Sequence, residues 1–304
     1  MHLTGTSIWC DARRRRDVCF VSSSDRIGAL GHGQLIGTPI TLALVAPRAQ
    51  NGLAGHLAVP VRRPFTLGTL RLELIPSGRT LGASALHVDA RGRTVLYAGP
   101  VRTTDSREAA EVRTSDAVVV AAPFGEQHHA FAPLDDVAGE LVAWVRAQLA
   151  AGKPPVIVVD SPLDGLEVAT RLVEEGLAVT GSATIRDAAK RLAKLEPVPA
   201  IRAPGKEPSV IIRVEGDRLA LPAKAVSALV SGRAIDPQPA FAARFAWPFA
   251  AGRAQLLAWI EQTKAKDIFV TGECAEAIVQ TLGKKARVLG PPHQMTLFPR
   301  EAAR

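Results

Sequence analysis

The segment Glu73–Val88 reads ELIPSGRTLGASALHV, and our interpretation of the fold starts from it. Just before it, apolar residues begin to alternate with charged ones, and the alternation runs from Leu70 to Leu74. Two glycines then mark a tight connection, and a second apolar run follows. Alternation with a period of two indicates a half-buried β-strand, and glycine-containing connections join neighbouring strands. The segment therefore predicts a strand, a turn that contains Arg79, and a second strand.

Outward from this segment the chain divides into two patterns. The first 122 residues carry short β signals such as TVLYA at 94–98 and AVVVAA at 117–122. From Pro123 helical and strand signals alternate: a stripe through Val137, Leu141 and Trp144 ends at Gly152, the run PPVIVVD follows, and a second helix ends at Gly176. Alternation of strand and helix is typical of α/β proteins with parallel strands. We therefore predict an α/β fold.

Composition favours a polyanionic partner. Lysine and arginine together number 37 against 29 acidic residues, and the pI is about 9.9. The best local basic candidate is the cluster Arg13, Arg14, Arg15 and Arg16, although a run of charge is often only a solvated loop. The alternative is that arginine is abundant as it is in many proteins encoded by GC-rich bacterial genomes, without a basic binding surface.

Several features bear on where the protein works. The sequence contains no apolar run of transmembrane length, and the charge at its N-terminus follows the apolar residues, which is the reverse of a secretory signal. We expect a cytoplasmic protein with no membrane partner. Cys10, Cys19 and Cys274 form no CxxC pair, so we expect reduced thiols in the core. Trp144, Trp247 and Trp259 have core-facing spacing.

Six further segments occur in an order that resembles one known family. They are FVSSSDRIG at 20–28, TPITLAL at 38–44, VLYAGPVR at 95–102, VVVAAPFG at 118–125, WPFAAGRAQLLAWI at 247–260 and VTGECAEAI at 270–278. With the opening segment, they resemble the metallo-β-lactamase fold nucleases that carry a β-CASP insertion, in particular the ligase-associated and mRNA 3′-end processing exonucleases. The resemblance implies a four-layer αββα metallo-β-lactamase-like domain at 1–122 and 236–304. It also implies an inserted α/β β-CASP-like domain at 123–235 and a cleft with a basic lining between the two.

The resemblance also shows what this chain lacks. Nucleases of this family use two zinc ions held by histidine and carboxylate side chains, which activate a bridging water. Only Asp25 keeps a ligand-type side chain; the other matching positions are occupied by Arg26, Arg79, Pro100, Ala121, Gly252 and Gly272, with the first two histidines falling among residues 21–23. None of arginine, proline, alanine and glycine can donate a side-chain lone pair to zinc. We therefore expect no metal, no cofactor and no catalytic residue.

Arg26 and Arg79 have two interpretations. Together with Asp25 they form a candidate phosphate site, because planar guanidinium groups bind phosphate without activating water. The alternative is that each arginine fills the vacated polar cavity and pairs with Asp25 or another carboxylate. His128 and His129 are adjacent and are expected in a loop at the domain junction, where a relocated metal site would need a further ligand.

The end of the chain, HQMTLFPREAAR, suggests a protein partner. Gln294, Met295, Leu297 and Phe298 resemble the pentapeptide with which bacterial proteins bind the DNA sliding clamp. In that mode two apolar side chains enter a pocket and the glutamine binds at its rim. The alternative is that Leu297 and Phe298 pack on this protein's own last strand.

These observations predict a catalytically inactive pseudo-nuclease. We expect a nucleic-acid-associated binding or scaffold subunit in DNA repair or RNA processing. Its partners would be single-stranded DNA or RNA and a clamp, ligase, helicase or active nuclease paralogue. One alternative is a phosphodiesterase or exonuclease with a displaced single-metal site, and another is a scaffold with no affinity for nucleic acid.

Overall fold

The computed structural model describes residues 1–26, 31–45, 56–237 and 240–290. Its strands are β1 (Ile8–Cys10), β2 (Val18–Phe20), β3 (Gln34–Gly37), β4 (Leu57–Ala58), β5 (Phe65–Leu67), β6 (Leu70–Pro76), β7 (Ser84–Ala90), β8 (Arg93–Pro100), β9 (Ala117–Ala121), β10 (Pro155–Val159), β11 (Val179–Gly181), β12 (Val210–Val214), β13 (Val226–Ser231), β14 (Ala243–Ala246), β15 (Asp267–Thr271) and β16 (Ala286–Val288). Its α-helices are α1 (Pro39–Val45), α2 (Leu134–Ala150), α3 (Pro162–Glu174), α4 (Ala183–Leu192), α5 (Arg253–Gln262) and α6 (Ala275–Leu282).

The first unit comprises β1 to β9, β15 and β16 with α1, α5 and α6, and it contains two sheets. Strands β1 to β4 form a four-stranded parallel sheet in sequence order. The second sheet has seven strands in the order β16-β15-β9-β8-β7-β6-β5. Strands β5 to β8 pair antiparallel, whereas β8, β9, β15 and β16 pair parallel. The opening segment forms β6, its connection and β7, as predicted.

The two sheets pack face to face between helices. Phe20 and Ile36 of the first sheet lie in one apolar cluster with Leu72, Leu86 and Val119 of the second. Helix α1 covers the outer face of the first sheet, and α5 and α6 cover the outer face of the second. Strand β9 shows how the sequence produces this, because successive side chains of a strand point to opposite faces. Its Val119 enters the intersheet cluster, and its neighbouring valines contact the helices.

The second unit comprises β10 to β14 with α2 to α4, and it is a parallel sheet flanked by helices. Its five strands follow the order β11-β12-β10-β13-β14, and α2, α3 and α4 contribute to its core. The predicted α/β class is confirmed, as are the helix that ends near Gly152 and the strand after it. Helix α4 was missed, although Ile185, Ala188 and Leu192 are buried at helical spacing.

The return from the second unit to the first comes later than residue 236. Strand β14 falls within the 236–304 part that we predicted to belong to the metallo-β-lactamase-like domain, but it pairs with β13 in the five-stranded sheet. Strand β13, which the sequence pattern did not predict, is buried from Ala228 to Ser231. The division into 1–122 with 236–304 and 123–235 stays a prediction about domains, but membership of the sheets changes after Ala246.

In the part of the chain that the structure describes, no helix combines the length and the apolar character needed to cross a membrane.

Candidate functional site

Three of the positions that we compared with metal ligands, Pro100, Ala121 and Gly272, lie at one edge of the seven-stranded sheet, where its parallel strands end. Pro100 at the end of β8 is in register with Ala121 at the end of β9, and Ala121 is in register with Thr271 at the end of β15. Gly272 follows directly. Parallel strands bring their carboxyl ends to the same edge, so these positions converge although they are far apart in sequence. The converging side chains here are those of proline and alanine, beside a glycine.

Arg79 lies in the β6–β7 connection at the same edge, in a tight glycine turn. Gly78 has a φ of 74°, and a Cβ added to it would lie 2.0 Å from the carbonyl oxygen of Arg102. Gly82 has a φ of 75°, and an added Cβ would lie 2.5 Å from Ile40. Only glycine tolerates both the left-handed conformation and the close approach. The turn is therefore held tightly against its neighbours, and the Arg79 side chain is only 11% exposed.

The Arg79 guanidinium forms a bidentate ion pair with Asp164. Its Nη1 and Nη2 lie 2.6 Å and 3.0 Å from the two carboxylate oxygens, and Asp25 lies 3.7 Å from Nη2. Asp164 is fully buried in the first turn of α3, where its backbone N–H donates to the hydroxyl of the N-cap residue Ser161. This geometry is the one that we gave as the alternative to a phosphate site. A phosphate at Arg79 would have to compete with a buried carboxylate.

Burial and charge act on this pair in opposite directions. Burial alone lowers the pKa of the Arg79 guanidinium, but the charge and hydrogen bonds of Asp164 and the charges of Asp25 and Glu167 together outweigh that effect, and the net shift is upward. Burial also raises the pKa of Asp164, and the charge of Arg79 counteracts only part of the rise. The raised pKa of Arg79 fits an ionised pair, whereas the raised pKa of Asp164 favours the protonated carboxyl group. We regard the pair as ionised, because a guanidinium keeps its proton in proteins and the two short contacts fit a bidentate salt bridge.

A second ion pair joins the same helix to the first unit. Arg102 is buried, and its Nη1 donates to both oxygens of Glu167 at 2.9 Å and 3.0 Å. Trp247 Nε1 donates to Oε1 of Glu167 at 2.9 Å. Asp164 and Glu167 are three residues apart and therefore lie on the same face of α3. One helix of the second unit is thus bound by two arginines from loops at the end of the first unit's sheet, and the sequence interpretation missed Arg102 and both acids.

Asp11 is a further acidic residue that sequence reasoning missed. It follows β1 with a φ of 45° and accepts hydrogen bonds from the N–H and hydroxyl of Ser22 at 2.8 Å and 2.7 Å. The Tyr97 hydroxyl donates to it at 2.9 Å, and Arg26 Nε lies 3.9 Å away. Burial raises the pKa of Asp11 despite the hydrogen bonds from Ser22. The only sequence signal was a carboxylate directly after a buried strand.

The charges of the arginines at this edge are therefore balanced by carboxylates of the same protein. Asp25 also accepts a hydrogen bond from the Ser23 hydroxyl. Three carboxylates, those of Asp11, Asp25 and Asp164, stand against the guanidinium groups of Arg26 and Arg79. Among the described residues the three carboxylates outnumber the two guanidinium groups, so no unpaired arginine is left here to attract a phosphate.

His128, His129 and Asp236 place one potential ligand atom each within 4.8 Å of one another. His129 Nδ1 accepts hydrogen bonds from the backbone N–H groups of Gly125 and Glu126 at 3.0 Å and 3.2 Å. Because Nδ1 uses its lone pair there, the ring proton lies on Nε2, which faces Asp236 at 3.5 Å. A metal ligand needs the opposite arrangement, with a lone pair on the ligating nitrogen and N–H on the other. The group does not fit a metal ion at His129.

Asp236 instead serves as a hydrogen-bond acceptor in this group. His128 Nε2 lies 2.8 Å from its Oδ1, and this hydrogen bond is the main reason that the pKa of Asp236 is lowered. The two histidines lie in a loop after β9, as predicted for the junction. Cys274 Sγ lies 3.7 Å from His129 Nδ1, and burial raises the pKa of its thiol. All three cysteines are free and buried, and Trp247 and Trp259 are buried as expected.

The basic cluster near the N-terminus is open to solvent. Arg13, Arg14 and Arg15 are exposed and make no hydrogen bond or ion pair within the described residues. The guanidinium carbon of Arg16 lies 3.6 Å from the centre of the Trp9 ring, on which His2 also stacks. The clamp-like residues Gln294, Met295, Leu297 and Phe298 lie outside the described residues.

A groove of about 1000 Å³ runs between the two units, and we call it the inter-unit groove. Its apolar wall is formed by Pro39, Ile40, Pro60, Val61, Leu81, Ala83, Leu134, Leu163, Leu166, Leu195, Pro197 and Val198. Its charged residues are Arg102, Arg107, Arg171, Asp105, Glu108, Glu167, Glu174 and Glu196. Acids thus outnumber arginines by five to three. This groove does not have the basic lining that we expected between the units.

Comparison with known proteins gives a fold but no family. Neither a family model nor a curated protein matches the chain. Among solved structures, it is similar to the crystal structure of a protein of unknown function from Enterococcus faecalis V583. The TM-score is 0.60 at 12% identity, over 90% of this chain and 79% of the other. The similarity concerns the arrangement of strands and helices alone.

Proposed function

We propose that this protein is a catalytically inactive relative of the metallo-β-lactamase/β-CASP nucleases that acts as a binding or scaffold subunit in DNA repair or RNA processing, in the cytoplasm. The observation that carries the proposal is the buried ion pair of Arg79 and Asp164 beside Asp25. The helix–sheet–sheet–helix packing of the first unit and the convergence of the matching positions at one sheet edge support the relationship.

Loss of catalysis follows from the chemistry of the replaced side chains. A dinuclear zinc site needs several imidazole or carboxylate ligands around two cations a few ångström apart. The edge offers Asp25 as its one matching ligand, and Oδ2 of that carboxylate lies 3.7 Å from Nη2 of Arg79. A cation bound there would face a fixed positive charge at close range.

Nucleic-acid contact is assigned to the exposed arginines. Arg13, Arg14 and Arg15 are exposed and carry free charge, and the adjacent Arg16 lies over the Trp9 ring. Basic side chains next to an aromatic ring suit single-stranded DNA or RNA. Arg26 and Arg79 remain phosphate candidates only as a secondary prediction, because both lie beside carboxylates. Contacts with a clamp, ligase, helicase or active nuclease paralogue stay predictions.

The test is metal analysis and nuclease assay of the purified protein. We expect metal well below one equivalent after dialysis against zinc, and no degradation of single-stranded DNA or RNA with zinc, manganese or chelator. Near-stoichiometric zinc or manganese together with chelator-sensitive degradation would contradict the proposal.

Those results would favour the alternative, a phosphodiesterase with one displaced metal. The observation behind that alternative is the group of His128, His129 and Asp236. It is disfavoured here by the hydrogen-bonding pattern of His129. Zinc titration of the parent and of His128→Ala decides between them, since a site in this group predicts zinc-dependent stabilisation that the variant loses.

A further inference from the structure

The inter-unit groove has the properties of a peptide-binding site rather than a nucleic-acid channel. Its apolar side chains come from both units, and Leu195 at its margin is 47% exposed, one of few large apolar side chains so exposed in the described chain. An apolar wall of this kind loses contact with water when an apolar partner covers it, which favours binding. The size of the groove suits an extended segment of chain better than a single side chain.

Two polar atoms of the groove lining have no partner in the described chain. Arg102 is 2% exposed and its Nε has no hydrogen-bond acceptor, although its terminal nitrogens are bonded to Glu167 and to the carbonyl oxygen of Asp105. The Thr80 hydroxyl is buried without a partner as well. Buried polar atoms are normally paired, and an unpaired one costs stability. A peptide backbone supplies carbonyl and N–H groups that can satisfy such atoms.

The charges of the groove select against a polyanion. Arg102 is paired with Glu167, Arg107 with Glu196 at 3.0 Å, and Arg171 with Asp135 at 3.2 Å. Glu108 is paired with Arg62 at 3.0 Å, and Glu174 lies 3.9 Å from Arg171, so Asp105 is the lining carboxylate without an ion pair among the described residues. The lining as a whole still has five acids against three arginines. Phosphate groups would meet this excess, whereas lysine or arginine side chains would complement it.

We propose that the inter-unit groove binds an extended segment of a partner protein in which apolar side chains are flanked by lysine or arginine. The apolar side chains contact the wall that includes Leu81, Leu163 and Leu195. The basic flanks pair with Asp105 and with Glu174, which shares Arg171 with Asp135. This proposal rests on the proposed role as a non-catalytic binding subunit and gives that role a surface.

The experiment uses two fluorescein-labelled decapeptide pools and fluorescence anisotropy with the full-length protein. In one pool, three central positions vary among Leu, Ile, Phe and Val between lysine flanks; in the other, the flanks are glutamate. We expect saturable binding of the lysine pool and about tenfold weaker binding of the glutamate pool, a difference of about 1.4 kcal/mol. Equal binding of the two pools, or no saturable binding of either, would overturn the proposal.

The groove is located by a pair of matched variants. Leu195→Ser with Glu174→Lys removes one exposed apolar contact and reverses one charge, and both side chains are largely exposed, so folding should be unaffected. The control is Leu221→Ser with Glu140→Lys, which makes the same changes at exposed residues outside the groove. The groove variant should bind the lysine pool at least fivefold more weakly and the control should match the parent. Equal loss in both variants would place binding elsewhere.

Two further readouts separate the possible failures. A single-stranded oligo(dT) that displaces the lysine pool from the parent would mean that the groove is a nucleic-acid site, and the peptide proposal would be wrong. All peptide measurements are made in chelator. Metal-dependent nuclease activity with intact peptide binding would overturn the proposed non-catalytic role but leave the groove assignment standing. Absence of both nuclease activity and peptide binding would overturn the groove assignment but leave the non-catalytic role standing.

Discussion

Arg79 and the cluster Arg13 to Arg15 belong to the same unit, yet their charges have opposite fates. The Arg79 side chain is 11% exposed and bonded to a fully buried carboxylate, whereas the three cluster arginines are exposed and unpaired within the described chain. The basic composition counts all four equally. The comparison teaches that net positive charge measures what a ligand can use only after the internal ion pairs have been subtracted.

The largest expected effect comes from breaking the buried pair. Arg79→Met keeps much of the side-chain volume but leaves Asp164 buried without its counter-charge, which should lower the free energy of unfolding by about 3–5 kcal/mol. Urea denaturation measures the change. The control is Arg26→Met, whose side chain is 37% exposed and 3.9 Å from Asp11, so its loss should be below about 1 kcal/mol. Equal losses in the two variants would remove the distinction between buried and exposed arginines.

Removing both partners should recover part of that loss. Arg79→Met combined with Asp164→Asn leaves no unpaired buried charge, so the double variant should be more stable than Arg79→Met alone. The same denaturation experiment on the parent, Arg79→Met, Asp164→Asn and the double variant gives the coupling energy of the two side chains. Additive losses would mean that the two side chains do not interact, against the bidentate geometry.

A pH series sharpens the comparison at Asp11. Because its pKa is raised in the folded protein, the folded state binds this proton more tightly than the unfolded state does. The corresponding stability is present below the ordinary aspartate pKa and is lost as pH rises through the folded value. The stability advantage of the parent over Asp11→Asn should therefore shrink between about pH 4 and neutrality. Thermal melts of both proteins across this range measure it, and an advantage that grows with pH would contradict the assignment.

The smallest effect on stability is expected at the exposed cluster. Replacing Arg13, Arg14 and Arg15 by alanine should change the free energy of unfolding by less than about 0.5 kcal/mol. If these residues contact single-stranded nucleic acid, the slope of log affinity against log salt should fall by about 2.

Anisotropy with a labelled oligonucleotide measures that slope. The matched control replaces three other exposed cations, Lys284, Lys285 and Arg287, by alanine. An identical loss in the control would mean that only net charge matters and that the cluster is no site.

Local pattern was sufficient for much of the fold. The alternation at Leu70–Leu74 predicted β6, and the apolar stripe through Val137 and Leu141 predicted α2. Helix α4 was not predicted, because polar and charged residues interrupt its apolar ones along the ten-residue segment, although the buried residues share one face of the helix. Strands β13 and β14 escaped because short strands among prolines and alanines lack a clear period.

The candidate site was half predictable. Arg79 could be singled out from its neighbours along the chain, because a turn between two strand patterns depends on residue type and short-range order. Its partner could not, since Asp164 lies 85 residues away and looks like an ordinary residue in the first turn of a helix. Arg102 and Glu167, separated by 65 residues, escaped for the same reason.

The sequence by itself determined the α/β class and the strand–turn–strand around Arg79, because these depend on residue type and short-range order. Only the tertiary structure decided which charges are neutralised, that α3 carries the carboxylates that bind two arginines, and that the groove between the units is acidic. The physical reason is that an ion pair depends on distance and burial, and both are set by folding segments that are remote in sequence.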